Sequence, residues 1–293
     1  MTSPSLADAQ LLSACARSSG SALAAVAAAL AAGANPNSAD GSRTTALAWA
    51  SANHDAPSVR ALLAAGADPD LGNESGETPL SLACHLDDMA VALALLDGGA
   101  RVDRPAEHSA TPLHLCCKMT RPDIADLLVA RGAPLDAPTD DPTRSTPLMW
   151  AAVHGQRRQL DALIRAGADV HARDADGRSA LHWAARSDFG SPEAVASLVG
   201  AGALIDARGC DGGTPLIEAA RRGSLSMAQA LLGAGADIRA VDASGACPRL
   251  QALDAGHLGL SMHLSSVALS RSEALLLADD LPRATRSNRN AGL

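Results

Sequence analysis

The stretch Thr111-Pro112-Leu113-His114-Leu115-Cys116 decides the fold, because most of its pattern returns along the chain at a nearly constant interval. Thr can cap the free N–H groups at the start of a helix, and Pro fits the first turn, where its missing N–H is not needed. The stretch therefore predicts the beginning of a short helix. Thr-Pro-Leu recurs at 78, 146 and 214, and the related triplets Thr-Ala-Leu and Ser-Ala-Leu stand at 45 and 179.

A second marker, the pair Gly-Ala, precedes each of these triplets by 12 residues, or by 14 at one lengthened loop. The pair follows an aliphatic doublet such as Leu62-Leu63 or Leu231-Leu232, so we expect it to end a second helix, where Gly suits a left-handed cap. Loops such as Asp174–Gly177 then carry a tight-turn signature. The unit is therefore helix, turn, helix and hairpin-like loop. The glycines of the marker are Gly33, Gly66, Gly99, Gly132, Gly167, Gly202 and Gly235.

On these residues the chain closely resembles the ankyrin repeat family, whose T-P-L-H-x-A signature is almost intact from Thr111 to Cys116. The resemblance covers roughly residues 5–265. It implies an all-α solenoid of helix-turn-helix units with finger loops, containing about seven repeats including caps. Each unit buries its apolar face only against its neighbours, and small residues such as Ala50 and Ala184 let the helices approach closely.

The same register divides the chain into four predicted parts. We expect an N-terminal capping repeat at 1–39, central repeats at 40–246, C-terminal capping helices at 247–281 and a disordered basic tail at 282–293. Arg249 stands where the pattern calls for Leu, which favours a cap there. The alanine-rich run Ala22–Ala32 loosely resembles a signal peptide, but it is too short to span a bilayer and lies where a second helix belongs.

Composition excludes several classes of function. The residues are 47% hydrophobic but only 1% aromatic, which favours close-packed helices over a β-sandwich or a base-stacking platform. The formal charge of −8 has the wrong sign for a protein that binds nucleic acid. Nearly all the positive charge is Arg, with Lys118 the only lysine, and this agrees with GC-rich coding and a bacterial source. The six cysteines show no C-x-x-C spacing, so a reducing compartment is expected.

No catalytic signature occurs in the sequence, so we predict a protein that is not an enzyme and has no cofactor or metal site. The resemblance implies that His114 and His182 form hydrogen bonds around the starts of their helices. The remaining alternative for an enzyme is a thiol-dependent one acting through Cys210, which lies in a loop.

A protein partner is expected on the concave face, which in ankyrin-like proteins is formed by the finger loops and the exposed side of each first helix. The fingers of the earlier repeats lean acidic and the later helices lean basic. One hypothesis is that this gradient orients a polar partner; the alternative is that the charges are merely solvated. The predicted partner-binding residues are Glu74, Glu77, Glu107, His108, Asp176 and Arg178 on the fingers, and His85, Lys118, Met119, His154, Arg186, Arg221 and Arg222 on the helices.

Three tryptophans share one register, four residues after the capping Thr or Ser, and in another repeat Glu218 takes this place. A position that tolerates Glu is expected not to be fully buried, so the rings could act as binding hot spots. The alternative is that they pack between repeats, as Leu82 and Leu115 would at the same position. The tryptophans concerned are Trp49, Trp150 and Trp183.

The sequence thus predicts a non-catalytic scaffold or adaptor that binds a protein partner, acts as a monomer in the bacterial cytoplasm, and contacts neither nucleic acid nor membrane. Two alternatives stay open: an inhibitor or immunity protein that masks a basic enzyme or toxin, and an effector exported into a host cell.

Overall fold

The computed structural model describes residues 5–17, 22–106 and 110–279, with side chains as far as residue 270. Within them the chain forms sixteen α-helices, which follow one another as eight pairs. The helices are α1 (Leu6–Cys15), α2 (Leu23–Ala31), α3 (Ala46–Ala52), α4 (Ala56–Ala64), α5 (Pro79–Leu86), α6 (Met89–Asp97), α7 (Pro112–Met119), α8 (Pro122–Ala130), α9 (Pro147–Val153), α10 (Arg157–Ala166), α11 (Ala180–Arg186), α12 (Pro192–Gly200), α13 (Pro215–Arg222), α14 (Leu225–Gly233), α15 (Pro248–Asp254) and α16 (Leu258–Asp279).

The pairs stack in chain order to form an all-α solenoid, as the repeat predicted. Each odd-numbered helix packs on the odd-numbered helices before and after it, and the even-numbered helices form a second layer in the same way. The described residues contain no strand beyond the single bridge between Ala39 and Thr45. Eight pairs are found where about seven repeats were expected, because the pair α15–α16 follows the last Gly-Ala and has no such marker of its own.

The predicted helix starts and ends are confirmed. Thr45 Oγ1 accepts the amide of Ala48 at 3.1 Å, and Thr78 Oγ1 accepts the amide of Ser81 at 3.2 Å. The seven marker glycines all adopt positive φ angles between 83° and 100°, for which Gly pays no Cβ penalty.

Leucines from both helix layers fill the core, and alanines line the contacts between helices. Leu80 and Leu113 are buried two residues after their capping Thr, whereas Arg249 at the same register of α15 is exposed. Cys84 and Cys116 are fully buried, as expected for substitutes of the small packing residues.

A second set of contacts joins the loops after the Gly-Ala pairs. Asp70 Oδ1 accepts the amide of Arg101 at 2.9 Å, and Asp136 Oδ1 accepts the amide of Asp169 at 2.9 Å. The same register is interrupted at Pro134, which has no N–H to donate to Asp103, and at Leu204, because the preceding loop has His171 in place of an acid. Each bond joins a side chain of one loop to a backbone amide of the next loop. These bonds therefore fix the spacing of successive repeats.

No helix among the described residues is both long enough and apolar enough to cross a lipid bilayer. The alanine-rich run forms α2, which packs against α1 and α4 as a second-layer helix. The predicted tail at 282–293 lies outside the described residues.

Candidate partner-binding face

The described side chains predicted to meet a partner lie on the finger loops and the adjacent side of the first helices, which together we call the inner face. It comprises the finger loops and the residues four, seven and eight positions after the capping Thr or Ser of each odd-numbered helix. Backbone hydrogen bonds tie neighbouring fingers together: the amide of Glu74 donates to Ser42 O at 3.0 Å, and that of Cys210 donates to Asp176 O at 2.8 Å. Among the described residues, such bonds join the finger of Ser42 to that of Glu74, and they hold the fingers from Thr143 to Ala243 in a row.

The described candidates differ in how far they reach into solvent. Their exposure is a structural fact, whereas their contact with a partner stays a prediction. Glu107 and His108 lie outside the described residues. The exposed candidates are Glu74, His85, Lys118, Asp176, Arg186 and Arg222; the half-buried ones are Trp49, Glu77, Met119, Trp150, His154, Arg178, Trp183 and Arg221.

Each tryptophan is half-buried and packs on the core with its indole N–H bonded within its own repeat. Trp49 Nε1 donates to Asp40 Oδ2 at 2.9 Å, and Trp183 Nε1 donates to Asp174 Oδ2 at 2.8 Å. Trp150 has Asp141 at the same spacing, but Oδ1 of this carboxylate accepts bonds from Thr139 and Thr143, and the indole donates to Ser145 Oγ at 2.8 Å instead. The rings therefore clasp the finger to the first helix, and each ring stays partly exposed.

Sequence reasoning missed the aspartates of these clasps, although a signal was present. An Asp stands five residues before the capping residue in the repeats of all three tryptophans, although only those of Trp49 and Trp183 accept the indole N–H. Asp242 holds the same place in the last repeat, where it accepts Gln251 Nε2 at 2.6 Å. Burial opposes ionisation of Asp242, but hydrogen bonds from Ser244, from the amide of Ala246 and from Arg221 outweigh it and lower its pKa to about 2.

The expectation that a position tolerating Glu is open to solvent is wrong. The side chain of Glu218 is only 6% exposed, because arginines from two repeats surround its carboxylate. Arg221 Nη1 lies 3.0 Å from Glu218 Oε1, Arg186 Nε lies 3.7 Å from Oε2, and Arg178 Nε lies 3.9 Å from Oε1. A buried carboxylate is stable here because it is paired.

Arg221 is the centre of this network. Its Nη1 also donates to Asp211 Oδ2 at 2.6 Å, and its Nη2 donates to Asp242 Oδ2 at 2.8 Å. Arg222 pairs with Asp188 at 2.8 Å. The arginines of the later first helices are therefore paired with carboxylates of the chain itself. The charge-gradient hypothesis needs positive charges that are available to a partner, and fewer are available than the sequence suggested.

Comparison with known proteins gives the same fold. A family model described as Ankyrin repeats (3 copies) matches residues 11–106, 47–139, 104–174 and 148–242. The chain belongs to the ankyrin repeat family. The crystal structure of the human ASB11 ankyrin repeat domain is similar, with 28% sequence identity and a TM-score of 0.65, over 78% of this chain and 98% of that one. A search of curated proteins matched none to this chain.

Within these ankyrin repeats, His114 and His182 have the structural role that the resemblance implied. His114 Nδ1 accepts the amide of Thr111 at 3.2 Å, while Nε2 lies 3.1 Å from Ser145 O in the next repeat. His182 Nε2 lies 3.1 Å from Gly213 O in the same way. Burial lowers the pKa of each imidazole to about 4, so both are neutral near pH 7.

The remaining chemistry-bearing side chains are dispersed. Among the described residues no group of three His, Cys, Asp or Glu side chains is arranged to hold a metal ion. Burial raises the pKa of the Cys117 thiol to about 12, which keeps it protonated. Cys210 is an exposed free thiol on a finger.

A different cluster lies on α7 and α9, midway along the solenoid. Lys118 Nζ lies 5.9 Å from the ring centroid of Trp150. His114 and His154 meet the same ring edge-on, with centroid distances of 5.3 and 6.3 Å. Burial, together with the charge of Lys118, lowers the pKa of His154.

Proposed function

We propose that this ankyrin repeat protein is a non-catalytic scaffold or adaptor that binds a protein partner on its inner face. The observation that carries the proposal is the composition of that face. Finger loops in a hydrogen-bonded row flank first helices whose half-buried aromatic and aliphatic side chains stand beside exposed polar ones. Apolar anchors next to charged groups are the composition of protein-binding surfaces.

The use of the histidines and cysteines supports recognition over catalysis. His114 and His182 join adjacent repeats, and Cys84, Cys116 and Cys117 fill the core. These groups are buried and serve packing. The exposed groups of the inner face are suited to contacts with another surface.

Site-specific photocrosslinking in cells tests the proposal. A photoreactive amino acid replaces one exposed residue at a time, at His85, Lys118 or Arg186 on the inner face and at Arg60 or Asp126 on the outer helices. We expect the same protein adduct from the inner positions and none from the outer ones. Adducts confined to the outer positions, or absent everywhere, would contradict it.

The proposal extends to a bacterial cytoplasmic setting and a monomeric state. The six cysteines are free thiols, which supports a reducing compartment. Light scattering of the purified chain should give the mass of one copy, 29.5 kDa. A mass of two copies at micromolar concentration would overturn the monomeric part alone.

A further inference from the structure

Lys118, the only lysine of the chain, is an exposed cation for which no described residue supplies a counterion. No carboxylate of the described residues lies within 4.0 Å of its ammonium group. By contrast, Arg186, Arg221 and Arg222 on the later first helices each have a carboxylate within that distance. Lys118 therefore offers three N–H donors that the fold does not use.

The surroundings of Lys118 are apolar and aromatic. Its ammonium lies beside the half-buried ring of Trp150, and Leu115, Met119 and Val153, which share the inner-face registers of α7 and α9, are also half-buried. Burial and the charge of Lys118 lower the pKa of His154, which disfavours a second positive charge beside Lys118. The result is a single cation on an apolar floor, where a charge is less screened than on an open surface.

The inner face of α5, α7 and α9 carries no acid in its half-buried and exposed registers. Asp87, which follows α5, is engaged by Arg121 at 3.1 Å. The described residues of these registers are Leu82, His85, Leu86, Leu115, Lys118, Met119, Trp150, Val153 and His154.

We propose that Lys118, Trp150 and Met119 form a subsite for one acidic side chain of a protein partner together with a neighbouring apolar side chain. The carboxylate pairs with the ammonium of Lys118, and the apolar side chain covers the exposed part of the Trp150 ring. This inference rests on the proposed function, since it names the partner chemistry for the same inner face.

Charge limits the kind of segment that fits. The chain as a whole carries −8, so a uniformly acidic surface is repelled at long range. The subsite is a local exception, with one cation that no carboxylate of the described residues pairs. It therefore selects a short segment in which a single Asp or Glu lies beside an aromatic or aliphatic residue.

Selection from a displayed library of random peptides on the full chain tests this, and it does not require the partner to be identified first. We expect the enriched peptides to share an Asp or Glu next to a large apolar residue. When a selected peptide is coupled to the protein with a carbodiimide, its carboxylate should form an amide with Lys118. Peptide mass spectrometry identifies this amide. The assignment is simple because the protein has only one other kind of amine, its amino terminus.

Variants then assign the carboxylate contact. Lys118→Glu should weaken the selected peptide roughly tenfold or more, and Lys118→Arg should retain most binding, because it keeps the charge. Arg60→Glu, an exposed charge reversal on α4, is the matched control and should leave affinity unchanged. Circular dichroism of each variant checks that the fold is intact.

The outcomes separate this inference from the proposed function. Neutral or basic selected peptides that still crosslink to His85 and Arg186 positions overturn the acidic subsite and leave the inner-face proposal standing. Unchanged affinity for Lys118→Glu does the same. Absence of any inner-face crosslink removes both.

Discussion

The indole Nε1 of Trp183 donates a 2.8 Å hydrogen bond to Oδ2 of Asp174, which lies nine residues earlier at the base of the finger in the same repeat. The other carboxylate oxygen accepts the amides of Asp176 and Arg178 at 2.9 and 2.8 Å. One side chain thus closes the finger turn and attaches the finger to α11. The hydrogen bond between Asp174 and Trp183 therefore links the conformation of the finger loop to the position of the half-buried indole ring.

This clasp should contribute measurably to stability. Asp174→Ala is expected to lower the free energy of unfolding by about 2–3 kcal/mol, because it leaves two amides and an indole N–H without their acceptor. Trp183→Phe should cost about 1 kcal/mol. The double variant should cost less than the sum, with a coupling of roughly 0.5–1 kcal/mol in urea denaturation. Strict additivity would show that the bond contributes nothing.

Removal of Arg221 should be far more costly than removal of its neighbour. Arg221→Met is expected to destabilise the protein by roughly 3 kcal/mol, because it leaves the buried carboxylate of Glu218 without its 3.0 Å partner. Arg222→Met removes only a pair with exposed Asp188 and should cost less than about 1 kcal/mol. Equal shifts in thermal midpoint for the two variants would contradict the network described here.

Stability should fall as the pH drops from about 6.5 to about 4. The folded pKa of His114 and of His182 is about 4, against 6.5 in the unfolded chain, so the unfolded state binds more protons in this window. The loss should be on the order of 1–3 kcal/mol per imidazole at pH 4. Urea midpoints at stepped pH measure it.

Control variants separate the pH effect of these two imidazoles from that of other titratable side chains. The variant His114→Gln with His182→Gln should show a flatter profile between pH 6.5 and 4, while His85→Gln, at an exposed site, should follow the wild type. Asp242 affects stability at lower pH, because its contribution to the free energy of unfolding is lost only as the pH falls toward about 2. If the double variant unfolds, NMR titration of the wild-type imidazoles gives their pKa directly, and values near 6.5 would refute the prediction.

Gly155 should tolerate substitution much less well than Gly66. Both have positive φ, 66° and 89°, so Ala costs about 1 kcal/mol at either position. At Gly155 a Cβ would also collide with the carbonyl oxygen of Phe189, whereas at Gly66 nothing lies within 4 Å. Gly155→Ala should therefore cost at least about 3 kcal/mol by calorimetry, and Gly66→Ala about 1. Similar costs would mean that the turn around Phe189 gives way.

Much of the fold could be predicted because its determinants are local and periodic. The capping Thr residues, the left-handed Gly after each second helix and the hydrogen bond of His114 at the start of its own helix each depend on a few neighbouring residues in a fixed register. The candidate face followed from the same register. The pairing of the side chains on that face could not be predicted. Half-buried residues such as Trp150 form hydrogen bonds with finger loops, and the sequence pattern does not specify the conformation of those loops.

The sequence by itself determined the solenoid, its register and the inward-facing positions, since a repeat that cannot bury its own apolar face has to stack on its copies. Only the tertiary structure decided which of those positions are free. Glu218 is buried because arginines of two repeats converge on it, whereas no carboxylate of the described residues reaches Lys118, because the neighbouring first helices bring none to it. The stacking of repeats brings together charged side chains that lie tens of residues apart in the sequence. A local sequence pattern therefore does not show which of these charges are paired.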